Sequence, residues 1–205
     1  MRFILMADIK ESSKFFPPTL QRDFAHMVKH FNKAYSSTIV SPLTITLGDE
    51  FQGIVKDVQT GLNIIVAMEE YILTVGLEFK LRYILNEGEI ETPINTEIAH
   101  GMMGSGLTKA RQLLLGLKRD RRRFEIRLND MIKATTLNGL FFLYQHFMDR
   151  WHKKDLVVAS LFLKDIGNKE VASRLKRDES SVWRKRRSLA IDEYLICRTI
   201  LLKAA

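Results

Sequence analysis

Apolar residues fall first into short blocks of strand length and then, beyond about position 130, into stripes of helical period. Residues 2–7 form a continuous apolar run closed by Asp8, the pattern of a buried strand. A loop over residues 10–16 leads to Pro17-Pro18, a favourable helix start, and Leu20, Phe24, Met27, Val28 and Phe31 then recur at three- and four-residue steps. Residues 43–47 alternate with period two, Gly48-Asp49 turns the chain, and residues 51–56 return as the second arm of a hairpin. Val55, Val58, Leu62, Ile65, Met68 (or Glu69) and Ile72 predict a second helix, ended by Gly76. Residues 79–85 predict a third apolar strand, Asn86-Glu87-Gly88 a turn and residues 89–91 a short continuation. A helix over residues 108–117 and a strand through Phe124, Ile126 and Leu128 follow. The order strand, helix, strand, strand, helix, strand, with an extra helix and strand, predicts an α/β (α+β) domain of ferredoxin-like βαββαβ arrangement.

From about Thr135 strand signals stop, and helices are predicted over residues 137–151, 154–164, 169–176 and 180–202. Two domains are expected, 1–134 and an all-α 135–205, without a long linker or internal repeat.

With 46% hydrophobic residues among 205, the chain can fill a core, and a mean hydropathy of -0.09 without a long apolar run excludes a membrane span. The apolar stretch before Asp8 is too short for a signal peptide. Cys197 stands alone, which excludes a disulfide framework and a cysteine-based metal site, and the expected location is the cytoplasm. The net charge of +8 divides unevenly: +2 lies over residues 1–134 and +6 over residues 135–205. Between Asn168 and Arg187 eight basic residues face three acidic ones, a pattern that suits an anionic partner. A second basic cluster, Lys109 to Arg127, could meet a nucleotide phosphate, DNA or only water.

Asp8 at the end of the first strand and Asp49-Glu50 at the hairpin tip are expected to converge, a donor set suited to Mg²⁺ or Mn²⁺. The alternative is turn chemistry at Gly48-Asp49 and a strand-end role for Asp8. Lys10, Ser12 and Ser13 lie in a loop leading to a helix N-terminus, where a phosphate would be favoured. These segments, with residues 81–90 (Leu-Arg-Tyr-Ile-Leu-Asn-Glu-Gly-Glu-Ile), resemble class III nucleotide cyclase domains over roughly residues 1–115, and the hairpin is similar to the Gly-Asp-Glu-Phe turn of diguanylate cyclases. The resemblance implies metal binding by Asp8 and Asp49, and a site formed across a homodimer. The whole chain resembles the SatD family of bacterial proteins. Where cyclases carry an Asn and an Arg that stabilise the transition state, this chain has Thr108 and Gln112, and a neutral Gln cannot replace a bidentate cation. Arg111, one position from Gln112, is turned about 100° away from the site, and Lys109 or Arg111 reaches a phosphate only if the register slips. No catalytic residue is therefore assigned, and nucleotide binding on a retained fold is expected rather than turnover.

In the second part Asn168 is expected to cap a short helix whose inner face is Val171, Ala172 and Leu175. Arg177-Asp178-Glu179 forms a turn, with Asp178 or Ser180 as the next cap and Val182 as the first inward residue. Ser180, Ser181, Trp183, Arg184, Arg186 and Arg187 are expected to point outward and contact DNA, with Lys169 on the backbone; for Trp183, packing against the preceding helix is the equal alternative. This stretch resembles the sigma-like and regulator-type helix-turn-helix of bacteria. Leu189, Ile191, Leu195, Ile196, Ile200 and Leu201 extend the last helix as core or dimer seam. The scattered His residues, including His26 and His30, carry no metal pattern, and no Ser–His–Asp order or glycine-rich P-loop is present. The expected function is a DNA-binding transcriptional regulator whose cyclase-like domain senses a nucleotide or divalent metal. A metal-dependent nucleotidyl cyclase or transferase and a protein-binding module are the alternatives.

Overall fold

The computed structural model describes residues 1–12, 17–164 and 166–204. Five strands, β1 (Arg2–Ile9), β2 (Ile39–Ile45), β3 (Glu50–Val55), β4 (Leu81–Gly88) and β5 (Phe124–Arg127), form one sheet in the order β2-β3-β1-β4-β5. Every neighbouring pair is antiparallel except β4 and β5. The strand β1 sits at the centre because both its faces are apolar. Ile4 and Met6 face α3 (Ser105–Leu117) through Leu107, Ala110 and Leu114, while Leu5, Ala7 and Ile9 join the core on the other face. That second face is covered by α1 (Pro18–Ala34), α2 (Val58–Val75) and α4 (Met131–Arg150). The predicted turn at Asn86-Glu87-Gly88 is instead the last part of β4, paired with Ile4, Phe3 and Arg2. Cross-strand pairing with the apolar β1 overrides the local turn chemistry.

The helix α2 is apolar around most of its circumference, which is the signature of a helix buried on several sides. It crosses β4 closely at Gly61, where an added Cβ would lie 2.7 Å from Leu85. Asp57 caps its start by accepting from Thr60 N–H, and Gly76, at φ 76°, closes its end in the left-handed region. Its outer side carries the helical tail: α5 (Leu156–Phe162), α6 (Asn168–Leu175), α7 (Glu179–Ser188) and α8 (Ile191–Lys203), with a 3-10 turn at Lys153–Asp155 before α5. Gln59 donates to the carbonyl of Leu202, and Tyr194 and Arg198 of α8 both reach Glu70, at 2.8 and 2.9 Å.

The expected boundary at 134/135 falls inside α4, and one continuous apolar core runs from β1 through α4 to α8. Phe141 stacks on Phe124 at 4.7 Å between centroids, and Asn138 satisfies the outer edge of β5 by bonding both N–H and C=O of Ile126. The predicted helix over 180–202 is two helices. Ala190 adopts φ 50° and breaks the chain direction, and Trp151 Nε1–H takes up the carbonyl of Leu189. Likewise the predicted 154–164 helix begins as the separate 3-10 turn.

Beneath α2 lies a buried ion pair. Arg123, 1% exposed, donates from Nη1 and Nη2 to the two oxygens of Glu69, at 3.0 and 2.7 Å, and from Nη1 to the carbonyl of Leu81 at 2.8 Å. Burial works against its charge, but Glu69 and Asp149 outweigh that and hold the guanidinium above its ordinary range. Removing one partner, as in Arg123→Met, strands a buried carboxylate and should cost about 3–5 kcal/mol in urea unfolding. The double variant Glu69→Leu/Arg123→Met should lose far less; equal losses for the single and double variants would contradict this account.

Candidate functional site

At the end of β1 a row of charged residues crosses three strands. Register pairs Asp8 with Glu50 of β3 on one side and with Arg82 of β4 on the other, so all three side chains share the sheet face covered by α3. Asp8 is 1% exposed, and Arg82 grips it bidentately, Nε to Oδ1 and Nη2 to Oδ2, both at 2.8 Å. From the C-cap of α3, Lys118 Nζ stands 3.5 Å from Asp8 Oδ2. Glu50 accepts from Thr46 Oγ1–H at 3.2 Å and has Arg111 Nη1 at 3.6 Å. Asp49, one residue away, accepts from the hydroxyl of Ser12, and its own carbonyl receives Ile9 N–H at 2.9 Å.

Burial pushes the Asp8 carboxyl above the ordinary carboxylate range, and Arg82 and then Lys118 pull it back without cancelling the effect.

The expected set Asp8, Asp49 and Glu50 is thus brought to one end of the sheet but not opened to a cation. Both oxygens of Asp8 are bonded to Arg82, Asp49 is bonded to Ser12, and Glu50 faces Arg111. Among the described residues no group of three or more His, Cys, Asp or Glu side chains could hold a metal ion. In this arrangement the donors do not fit Mg²⁺ or Mn²⁺. A cation could enter only after Arg82 released Asp8.

Of the expected phosphate ligands, Lys10 is exposed, Ser12 is engaged with Asp49, and Ser13 lies outside the described residues. Arg111 turns to Glu50, whereas Lys109 lines a separate cleft with Thr108, Gln112, Asn86 and Gly88. That cleft sits at the opposite end of β4 from Arg82, so Lys109 and Arg111 do not converge.

Ion pairing accounts for part of the Lys109–Arg127 cluster. Five of its eight cations are committed to carboxylates: Arg111 to Glu50, Lys118 to Asp8, Arg122 to Asp120 and Glu125, Arg123 to Glu69, and Arg127 to Glu125.

The tail carries the second candidate. The helices α6 and α7 meet through Val171, Ala172 and Val182, all buried, across a turn in which Lys176 takes φ 52°. Asp178 caps α7 through Ser181 N–H at 2.7 Å. The N-cap of α6 is Gly167, not Asn168, whose side chain instead receives Arg186 Nη1–H at 3.4 Å. Arg186 also donates to Asp192 at 2.9 and 2.6 Å and lies over the ring of Phe162, so its predicted outward role gives way to a structural one. Lys185 pairs with Asp155 at 2.5 Å. Lys169, Ser180, Trp183, Arg184 and Arg187 are exposed, and Ser181 is half-buried. Trp183 is 51% exposed, with the Arg187 guanidinium 5.8 Å from its ring centre.

Sequence reading missed Arg82 and Lys118 at the first site, and Lys185 with Asp155 at the second. Arg82 could have been found by pairing strands one and three in register from Asp8; nothing local marks Lys118.

Because the folded-state pKa of Asp8 is raised, Asp8 adds to stability below the ordinary carboxylate value and loses that contribution as pH rises through its own. Wild-type protein should therefore lose stability relative to Asp8→Asn as pH climbs from about 4, where ordinary carboxylates titrate, with urea midpoints as the readout. Arg82→Met should move the Asp8 carboxyl further up, followed by side-chain carboxyl NMR. An Asp8 that titrates at or below the ordinary value would refute the assignment.

Among the described residues no helix is long and apolar enough to cross a membrane. The chain is similar in structure to two bacterial light-regulated adenylyl cyclases. One has 15% identity and a TM-score of 0.41, over 61% of this chain and 74% of that one. The other has 14% identity and a TM-score of 0.45, over 61% of this chain and 42% of that one. It is also similar to the guanylyl cyclase Cya2, at 13% identity and a TM-score of 0.33, over 56% and 69% of the two chains. No curated protein matches it. The SatD family model matches residues 3–203, nearly the whole length, and the chain belongs to the SatD family.

Proposed function

We propose that this protein is a DNA-binding regulator, with α6 and α7 as a helix-turn-helix and the layered part, read as a ferredoxin-like cyclase-type domain, as its sensor of a nucleotide or divalent cation. The observation that carries the reading is the division of charge on α7. Lys185 and Arg186 are fastened inward to Asp155 and Asp192, while Arg184 and Arg187 flank an exposed Trp183. Among the described residues Arg184 and Arg187 have no carboxylate partner, and cations beside an exposed aromatic suit phosphate and base-edge contact, with Ser180 and Ser181 in the first turn of α7 and Lys169 alongside. Sensing requires the ligand to bind the DNA-competent and incompetent states unequally, and for a cation also that Arg82 give up Asp8. A homodimer would give such a module two half-sites.

Adjacency of Asp8 and Glu50 in register favours a second reading, a metal-dependent nucleotidyl cyclase. Against it stand the Arg82 grip on Asp8 and the neutral Thr108 and Gln112.

Binding to random-sequence duplex should weaken steeply with salt, and Arg184→Ala/Arg187→Ala should reduce the log–log slope by about two, near one per lost phosphate contact. A salt-independent response, or one the double variant leaves unchanged, would end the DNA reading. Incubation with ATP or GTP and Mg²⁺ or Mn²⁺ should give no cyclic product; product that disappears in Asp8→Ala would install the enzyme reading instead.

A further inference from the structure

A cavity of about 660 Å³ lies where the layered part meets the tail. Its apolar walls come from both sides: Leu20, Ile72, Leu77, Phe79 and Met148 of α4 from the layered part, and Leu156 from the start of the tail. The ion pair Glu78–Lys153 joins the two sides beside it, and Lys80–Asp149, at 2.7 Å, ties α4 to the sheet. Volumes of this order, lined by apolar side chains with a few polar groups and placed between structural units, are those of small-molecule sites.

The polar groups of the lining specify the ligand. Its four carboxylates, Glu11, Glu69, Glu78 and Asp149, are all engaged within the protein. Among the described residues two donors remain: the Nε–H of Arg123, whose guanidinium is ion-paired to Glu69 and Asp149, and the ammonium of Lys10. Arg123 Nε–H is buried and makes no hydrogen bond among the described residues, its ion-pair partner Asp149 Oδ1 standing 3.4 Å away. Lys10 lines the same cavity, and among the described residues its ammonium has no partner. A buried donor left unmade is costly, and an anionic acceptor satisfies it best.

We propose that this cavity binds a small carboxylate with an apolar body, its charge taken up by Lys10 and the Arg123 Nε–H and its body by the apolar walls. Since those walls belong to both parts of the chain, the bound acid fastens the tail to the layered part. The proposal stands apart from DNA binding and survives the failure of that reading.

Trp151 lines the cavity and is one of only two tryptophans in the chain, so in Trp183→Phe its fluorescence reports occupancy. Decanoate, below its micelle concentration, should shift that fluorescence saturably, bind one to one by calorimetry to the full wild-type chain, and raise the melting temperature. Decyltrimethylammonium should do none of these. Lys10→Glu, an exposed substitution that leaves the core intact, should weaken decanoate at least about tenfold, and Leu156→Trp, which places a bulkier side chain in the apolar wall, should weaken it too. Absence of saturable binding, an equal response to the cationic chain, or unchanged decanoate affinity in Lys10→Glu would overturn the proposal, even were Leu156→Trp not to fold.

Discussion

The structure depends on one buried ion pair and on the helix that carries it. Glu69 and Glu70 are consecutive on α2, and one step on a helix turns a side chain by about 100°. Glu69 therefore meets Arg123 beneath the helix while Glu70 meets Tyr194 and Arg198 of the tail. The same Arg123 bonds the Leu81 carbonyl at the start of β4 and lies 3.4 Å from Asp149 at the end of α4. Sheet, covering helices and tail are thus tied together through two adjacent carboxylates. Burial of an ion pair adds little net stability by comparison with a well-packed apolar substitute, so its contribution is one of position. With a charge at that depth, the guanidinium has few places to go other than against Glu69.

The two basic clusters show why charge counting alone does not identify a surface. Both have eight cations in a stretch of about twenty residues. In the Lys109–Arg127 stretch Arg111, Lys118 and Arg123 are consumed by Glu50, Asp8 and Glu69, which are distant in sequence, and Arg122 and Arg127 by the neighbouring Asp120 and Glu125. In α7 two are consumed, and Arg184 and Arg187 have no carboxylate partner among the described residues, Arg187 lying over Trp183. Part of the difference lies in partners that the fold brings from far along the chain, Asp8, Glu50 and Glu69 for the first cluster and Asp155 for the second.

Much of the architecture was legible nonetheless. The apolar run before Asp8 is continuous because β1 is covered on both faces, and Gly76 and Asp178 act as the helix signals they spell. What was not legible depends on pairing at a distance. Asp8 reads as a metal ligand until register sets Arg82 directly opposite it. Arg123 reads as part of a solvated Arg121-Arg122-Arg123 run until tertiary packing buries one of the three. The break at Ala190 has no Gly or Pro to announce it, and Leu189 and Ile191 continue the apolar stripe across it. It exists because α8 must change direction to lie on α2 and α4.

The inward and outward positions of α7 share no partner. Val182, Lys185 and Arg186 hold the helix in place, whereas Ser180, Trp183, Arg184 and Arg187 project from it. The exposed positions of α7 can therefore change, by drift or by design, while the contacts that seat the helix stay in place.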